Sequence, residues 1–397
     1  MNPYRITAIA TAAMMLAACN NSEPQQDAAA SAPAAAQEQV IKIGSANPLT
    51  GPFAHWGRDA DNGVQLAAEE ANAEKLTLDG KPVRFEVISE DDQADPKVAT
   101  QVAQRFVDAG VAAVIGHLTS GAAIPASRLY NDAGIAMIAG SVTSPKFTQQ
   151  GYNNTFRIIA NDLQQGQALA KYAVAELKSK RIAVIDDRTT YGQGLADDFA
   201  KATEAAGGTI VKREYTTNSA TDFMAILTSI KAEKPELIFY GGMDAQAGPM
   251  VKQMRKLGIT AIFMGADGVN TAEFAKLAGK DGEGAYASSA GASKELMPGY
   301  DAFNTKYKAR FNGEIQAYAP YTYDATRVVI DAMKRANSAD PKKYLTEVGK
   351  TSLQGVTGPI AFESNGDIKN GTVTLYRLDG GKWAGVAKPA GDASAAQ

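Results

Sequence analysis

A single cysteine, Cys19, is all that 397 residues contain, so no intrachain disulfide can form. With only two histidines, His55 and His117, a structural Cys/His zinc site cannot be assembled either. Positive charge is not in excess: 40 Lys and Arg stand against 43 Asp and Glu, a net charge of −3, which makes nucleic acid a poor candidate partner. Signatures of catalysis are also missing. There is no GxSxG, HExxH, CxxC or phosphate-cradling GxxxxGK[ST]. Gly282-Glu283-Gly284-Ala285-Tyr286-Ala287 has dinucleotide-like spacing but enters a strand rather than leaving one, and Gly192-Gln193-Gly194 lacks the third small residue. His117 follows a strand, yet no nucleophile is arranged with it, which favours a structural role. The acidic run Glu90-Asp91-Asp92 reads as a solvated turn rather than a catalytic pair. What remains, 45% hydrophobic and 21% charged residues, is the composition of a globular protein with length for two or three domains.

The amino terminus differs in kind. Met1 to Arg5 carry one side-chain cation, Ile6 to Leu16 are small and apolar, and Leu16-Ala17-Ala18-Cys19 closes the stretch. This reads as a signal peptide over residues 1–18, too short for the roughly 20 apolar residues of a membrane span, and no second candidate follows. Leu-Ala-Ala-Cys resembles the bacterial lipobox, in which the cysteine is acylated and becomes the first mature residue; simple cleavage after Ala18 is the alternative. Residues 20–39 contain no Lys, Arg, aromatic, Val, Ile, Leu or Met. Such a segment buries too little to order itself and, as a coil, spans about 25 Å. Residues 19–39 are therefore an acylated cysteine and tether, and 388–397 a disordered tail. The expectation is an exported chain, anchored by lipid to a bacterial membrane and facing the periplasm or the cell exterior.

From Val40 onward, short β-rich runs alternate with helical patterns. The runs include Val40 to Ser45, Val83 to Ser89, Ala112 to Ile115, Arg181 to Ile185 and Glu236 to Tyr240; helical spacing covers Asp59 to Ala73, Pro96 to Ala109, Asp162 to Leu177, Gly194 to Ala206 and Ala245 to Leu257. The alternation predicts an α/β fold with parallel sheets covered on both faces. One unit recurs: AAVIG-HLTSGA-helix-IAMIAG has a counterpart in LIFYG-GMDAQAG-helix-AIFMGADG, and Gly116 to Gly140 and Gly241 to Gly265 are both 24 residues apart. Two similar lobes in series explain this most simply, although any two βαβ units look alike at this level. Ligands of such sheets bind beyond the carboxyl ends of the strands, so the loops to inspect are 47–57, 117–122, 140–145, 187–194, 242–248 and 266–269.

Those loops carry a resemblance. Pro48-Leu49-Thr50-Gly51-Pro52 through Trp56-Gly57, Asp91-Asp92 with Asp95-Pro96-Lys97, Val114 to Leu118, Gly134 to Pro145, Tyr191-Gly192, Phe239 to Gly242, Phe263 to Gly265 with Gly268-Val269, and Gly358-Pro359 with Gly366-Asp367 follow one another in family order. By these the chain resembles the Leu/Ile/Val-binding proteins, receptors of branched-chain amino-acid ABC transporters. The resemblance implies two doubly wound lobes joined by a three-strand hinge (the type I periplasmic binding fold), with lobe one over 40–160 plus 287–363 and lobe two over 161–286 plus 364–387. It implies no enzyme, no cofactor and no metal. The implied partners are a small amino acid and a membrane permease, and the chain is expected to be a monomer.

Carried over residue by residue, Ser120 matches the carboxylate-binding serine at a helix start, where free amides hold an anion; a plain helix cap is its alternative. Ser141 and Thr143 match positions contacting the ligand's backbone groups. Asp267 matches the acid that pairs with the ammonium, one methylene shorter than the Glu of the branched-chain members. Trp56, Tyr191 and Tyr318 match pocket walls. Met243 stands where those members place a tyrosine, and Ala94 and Thr119 replace the two cysteines of the family disulfide. The shorter acid and the lost hydroxyl keep two other readings open: a receptor for an aromatic amino acid or amide, and a sensor of the same fold. An exported α/β enzyme is the third.

Overall fold

The computed structural model describes residues 38–386; the leader at 1–18, Cys19, nearly all of the tether and the tail at 388–397 lie outside them. The chain begins β1 (Gln39–Asn47), α1 (Ala54–Ala73), β2 (Thr77–Leu78), β3 (Lys81–Asp91), α2 (Pro96–Ala109), β4 (Ala113–Gly116), α3 (Ser120–Ala133), β5 (Ala136–Ala139) and β6 (Thr155–Arg157). It continues through α4 (Asp162–Lys171), β7 (Arg181–Asp186), α5 (Thr190–Ala205), β8 (Thr209–Tyr215), α6 (Met224–Ala232), β9 (Leu237–Gly241), α7 (Asp244–Lys256), β10 (Ile262–Met264), α8 (Ala272–Ala278) and β11 (Tyr286–Ser289). It ends with α9 (Tyr300–Phe311), α10 (Ala319–Ala336), α11 (Pro341–Gly349), β12 (Leu353–Gln354), β13 (Pro359–Ile360), β14 (Thr374–Asp379) and β15 (Lys382–Gly385).

Two sheets organise these elements, in the orders β2-β3-β1-β4-β5-β6 and β15-β14-β11-β10-β9-β7-β8, with β12 and β13 a separate pair. The parallel cores are β3-β1-β4-β5-β6 and β8-β7-β9-β10-β11, each in the order second, first, third, fourth, fifth. The repeated sequence unit therefore occupies the same place in both: β4-α3-β5 and β9-α7-β10 are each the third strand, its helix and the fourth strand. Every residue of β4, β5 and β9 is buried, as helices on both faces require.

The chain passes between the sheets three times, after β6, after β11 and after β13, and the crossovers are tied together. Ala160 N–H donates to Ala290 O at 2.9 Å, and Arg157 N–H donates to Gly366 O at 2.9 Å. Helix α10 returns to the first sheet and packs along α1.

Helix ends follow their chemistry. Asp95 caps α2 by accepting from the amides of Lys97 and Val98, Pro96 occupies the first turn, and Gly110 closes it with φ +67°. Two helices begin earlier than their apolar spacing suggests. α1 starts at Ala54 rather than Asp59, and α5 at Thr190 rather than Gly194. Glycine is the reason in both. A Cβ on Gly57 would stand 1.8 Å from Pro48 O, and one on Gly192 would stand 2.4 Å from Gly241 O, so only glycine lets these first turns press onto the neighbouring backbone. The expected helix over 162–177 is α-helical only to Lys171 and continues as a π-helical turn at Tyr172–Glu176.

Candidate functional site

The candidate residues sit where strands of both sheets end and helices start. Trp56 lies in the first turn of α1 and Ser120 opens α3. Tyr191 lies in the first turn of α5, while Met243 and Tyr318 precede the first residues of α7 and α10. These positions lie at the positive ends of helix dipoles, although the first amides of α10 are already taken by Asp59 Oδ2, which accepts from Tyr318 N–H at 2.8 Å and from Ala319 N–H at 3.0 Å.

Trp56, Ser120, Ser141, Tyr191, Met243, Asp267 and Tyr318 line one small, nearly filled cavity, together with Leu118, Thr119 and Gly268. Thr143 is not among its lining residues. It is buried in the same loop as Ser141, its carbonyl accepts from Asp162 N–H at 2.9 Å, and its side chain lies beside the Asp162 carboxyl.

One end of the cavity suits an anion. Ser120 Oγ accepts from Ser144 N–H at 3.3 Å, and Ser141 Oγ donates to Leu118 O at 2.9 Å, which fixes the two loops against each other. Thr119 Oγ1 and Trp56 Nε1 are buried without partners. Such groups cost free energy until something bonds to them.

Another part of the lining is acidic. Asp267 Oδ1 accepts from Gln165 Nε2 at 2.9 Å and from Tyr191 Oη at 2.8 Å, and Oδ2 accepts from Tyr318 Oη at 3.0 Å. Burial pushes the Asp267 carboxyl above the ordinary carboxylate range, and these three donors pull back towards the ionised form. Burial and the nearby Asp267 charge raise both tyrosine hydroxyls well above their usual value, so both stay protonated as donors. Behind Gln165 lies Asp162, fully buried and raised well above the ordinary range by burial and by Asp267; its Oδ1 accepts from the same Gln165 amide at 3.2 Å.

The walls are aromatic and sulfur-bearing. Trp56 meets Tyr318 edge-on, with centroids 5.9 Å apart, and Phe53 and His55 pack on its other sides. Outside the cavity, His55 Nε2 reaches Asp244 Oδ2 at 3.0 Å, joining α1 of the first half to α7 of the second. Together with the Tyr318–Asp267 bond, this bridges the two halves across the cleft.

The acidic run after β3 is not a solvated turn throughout. Asp92 is fully buried and bonds His117 Nδ1 at 2.7 Å, while Tyr130 Oη lies 3.0 Å from His117 Nε2. His117 is thus locked beneath the site rather than exposed in it. Gln165 is the functional neighbour that sequence reasoning missed: it lies in an amphipathic helix, in no loop motif, and only the capped start of α4 at Asn161 marks its surroundings. Among the described residues no group of three or more His, Cys, Asp or Glu is arranged to hold a metal. No helix there is long and apolar enough to cross a membrane.

Comparison with known proteins identifies the family. Residues 40–382 match the family described as periplasmic binding protein. An "amino acid binding protein" of Pseudomonas aeruginosa is 36% identical over 85% of this chain and 90% of its own. The leucine-, isoleucine-, valine-, threonine- and alanine-binding protein of the same organism is 32% identical over 85% and 89%. Among solved structures, the branched-chain amino-acid transporter substrate-binding protein of Streptococcus pneumoniae, in complex with isoleucine, superposes with a TM-score of 0.80 at 30% identity, covering 88% of this chain and all of that one.

Proposed function

The chain belongs to the periplasmic binding protein family, a family of solute receptors rather than enzymes, and from that premise we propose that it captures an L-amino acid, with leucine, isoleucine and valine first, between its two closing lobes. The trapped ligand passes to the permease of an ABC importer.

The observation that carries this reading is that anion-binding and acidic groups line one cavity. A free amino acid is a zwitterion, and each of its charges needs its own partner once buried. The α3 amino terminus with Ser120, and the Ser141 loop beside it, suit the carboxylate. Asp267 suits the ammonium: an ionised carboxylate offers about four lone-pair sites, and three are taken by Gln165, Tyr191 and Tyr318. Trp56, Tyr318 and Met243 form the wall against which an aliphatic side chain packs. Met243 is flexible and lacks the hydroxyl of a tyrosine, which widens the range of side chains the wall accepts. In the closed form the cleft is narrow, so entry requires opening at the crossovers and capture requires closure.

Acylation of Cys19 would hold the receptor at the membrane, since two or more acyl chains anchor stably where one does not. Its twenty-residue tether then leaves the lobes free to reach a permease as a monomer. Cys19→Ser is expected to move the protein from the membrane to the soluble fraction without changing ligand affinity; a protein that stays with the membrane speaks against the anchor.

Trp56 and Trp383 are the only tryptophans. In Trp383→Phe the remaining fluorescence comes from the cavity wall, and titration with each of the twenty L-amino acids is expected to change it saturably for leucine, isoleucine or valine. A response to aromatic amino acids or amides alone would redirect the ligand class, and silence with all of them would refute an amino-acid receptor.

A further inference from the structure

Arg157 ends β6 and opens the first crossover, and no part of its side chain is exposed. A buried guanidinium is costly unless its donors are satisfied and its charge paired. Here its fork has several destinations at once. Nε donates to Asp367 Oδ1 at 2.6 Å, Nη1 donates to the carbonyls of Val142 and Ser144, each at 2.9 Å, and Nη2 donates to Thr148 Oγ1 at 2.7 Å. Asp367 belongs to the third crossover, in a turn whose Gly366 (φ +88°) presses on β6 so closely that a Cβ would lie 2.1 Å from Thr155 O. Thr148 Oγ1 in turn donates to Asp367 Oδ1 at 2.8 Å. One side chain therefore joins two crossovers to the loop that carries Ser141 and Thr143.

The two carbonyls that Arg157 holds flank Thr143, and the carbonyl of Thr143 itself is taken by Asp162 N–H at 2.9 Å. In a trans peptide the carbonyl of one residue and the amide of the next point in opposite directions. Fixing the Val142 carbonyl on Arg157 therefore turns the Thr143 amide away from it. Fixing the Thr143 carbonyl on α4 turns the Ser144 amide away from α4, and that amide reaches Ser120 Oγ in the cavity wall at 3.3 Å. Three successive carbonyls are thus occupied, two by Arg157 and one by the start of α4. A cation needed only to fill the core would not require one planar guanidinium to reach two carbonyls, a carboxylate and a hydroxyl at once.

We propose that Arg157, which lines no part of the cavity, is a positioning residue for ligand binding: it sets the peptide planes of the Ser141–Ser144 loop and, through Asp367, couples that loop to the crossovers about which the lobes close. The carboxylate end of the proposed amino-acid site is thereby held by the hinge itself, so this inference rests on that reading for its ligand and on the loop geometry alone for its first test.

The test uses the full chain with Arg157→Lys and Asp367→Asn, compared with wild type by backbone hydrogen exchange without ligand and by calorimetric titration with L-leucine. Lysine keeps the charge but cannot bridge two carbonyls and a carboxylate in one plane. Exchange is expected to rise tenfold or more over residues 141–148 in Arg157→Lys, with little change in β4 and β7, and leucine affinity is expected to fall at least tenfold. Asp367→Asn should move both in the same direction by less, and it decides the matter if Arg157→Lys does not fold. Exchange that rises evenly over the first sheet, or nowhere, overturns the proposal, as does unchanged leucine affinity in a variant whose loop is freed. If the wild type takes no leucine, the functional reading falls, while the exchange experiment still decides whether Arg157 positions the loop.

Discussion

Tyr318 Oη donates to Asp267 Oδ2 over 3.0 Å, and this bond ties the helix that closes the first half to the loop after β10 of the second. A hydrogen bond to a charged group contributes about 1.5 to 3 kcal/mol, and this one is lost when the cleft opens. Tyr318→Phe is therefore expected to open the unliganded protein, read as a larger radius of gyration by small-angle scattering that returns to the wild-type value at saturating ligand. Equal radii in the free variant and the free wild type would show that this bond does not hold the cleft.

Asp267 also sets a pH dependence for binding. An ammonium needs the ionised carboxylate, and burial has raised the Asp267 carboxyl above its ordinary range. Affinity should accordingly fall as pH drops through that raised range, earlier than a surface aspartate near 3.8 would dictate. Calorimetry from pH 7 down to pH 4 measures it. An affinity flat over that range would mean that another group receives the ammonium.

The His55–Asp244 contact predicts the opposite trend at higher pH. Burial alone would lower the His55 pKa, but the hydrogen bond and charge of Asp244, with Glu273 and the Pro52 carbonyl nearby, raise it above 6.5. In an open cleft the imidazole returns to its usual value. A raised pKa in the closed form means that protonated His55 favours closure below about 6.5 and that this contribution is lost as pH rises through the raised value. The ligand's off-rate should therefore be slower at pH 6 than at pH 8, and His55→Gln should remove the difference. A pH dependence that survives in His55→Gln must come from elsewhere.

Asp187, at the end of β7, bears on stability rather than binding. Burial raises its carboxyl from 3.8 to about 6, against the hydrogen bonds that Thr189 gives it. Between those values the folded protein holds a proton that the unfolded chain releases, so stability declines as pH rises from about 4 to about 6. A shift of that size corresponds to about 3 kcal/mol. Asp187→Asn is expected to flatten this part of the curve of melting temperature against pH, and equal slopes in variant and wild type would contradict the assignment.

Much of this was legible in the residues. The alternation of strands and helices, the 24-residue repeat and the family stretches pointed to two doubly wound sheets, and Asp95-Pro96 with Gly110 marked both ends of α2. Helix starts were harder where glycine replaced apolar periodicity, as at Gly57 and Gly192, whose tolerance of a close backbone approach shows only in three dimensions. Gln165 and Arg157 escaped notice for a related reason. Each acts through partners distant in sequence, Asp267 for one and Asp367 for the other, and no local spacing encodes such pairs. Asp92 looked like part of a charged turn because burial, not residue type, decides what a carboxylate does.

The proposed binding depends on Asp267 receiving the ammonium of an aliphatic amino acid. Calorimetric titration of ligand-free wild type and Asp267→Asn with L-leucine, L-isoleucine and L-valine, and of the wild type with 4-methylpentanoate, which is leucine without its amine, tests that most directly. One-to-one binding of at least one amino acid by the wild type is expected, with more than a tenfold loss in Asp267→Asn and a comparable loss for the deaminated ligand. Equal affinity of the two proteins for the amino acid, or undiminished binding of 4-methylpentanoate, would contradict it.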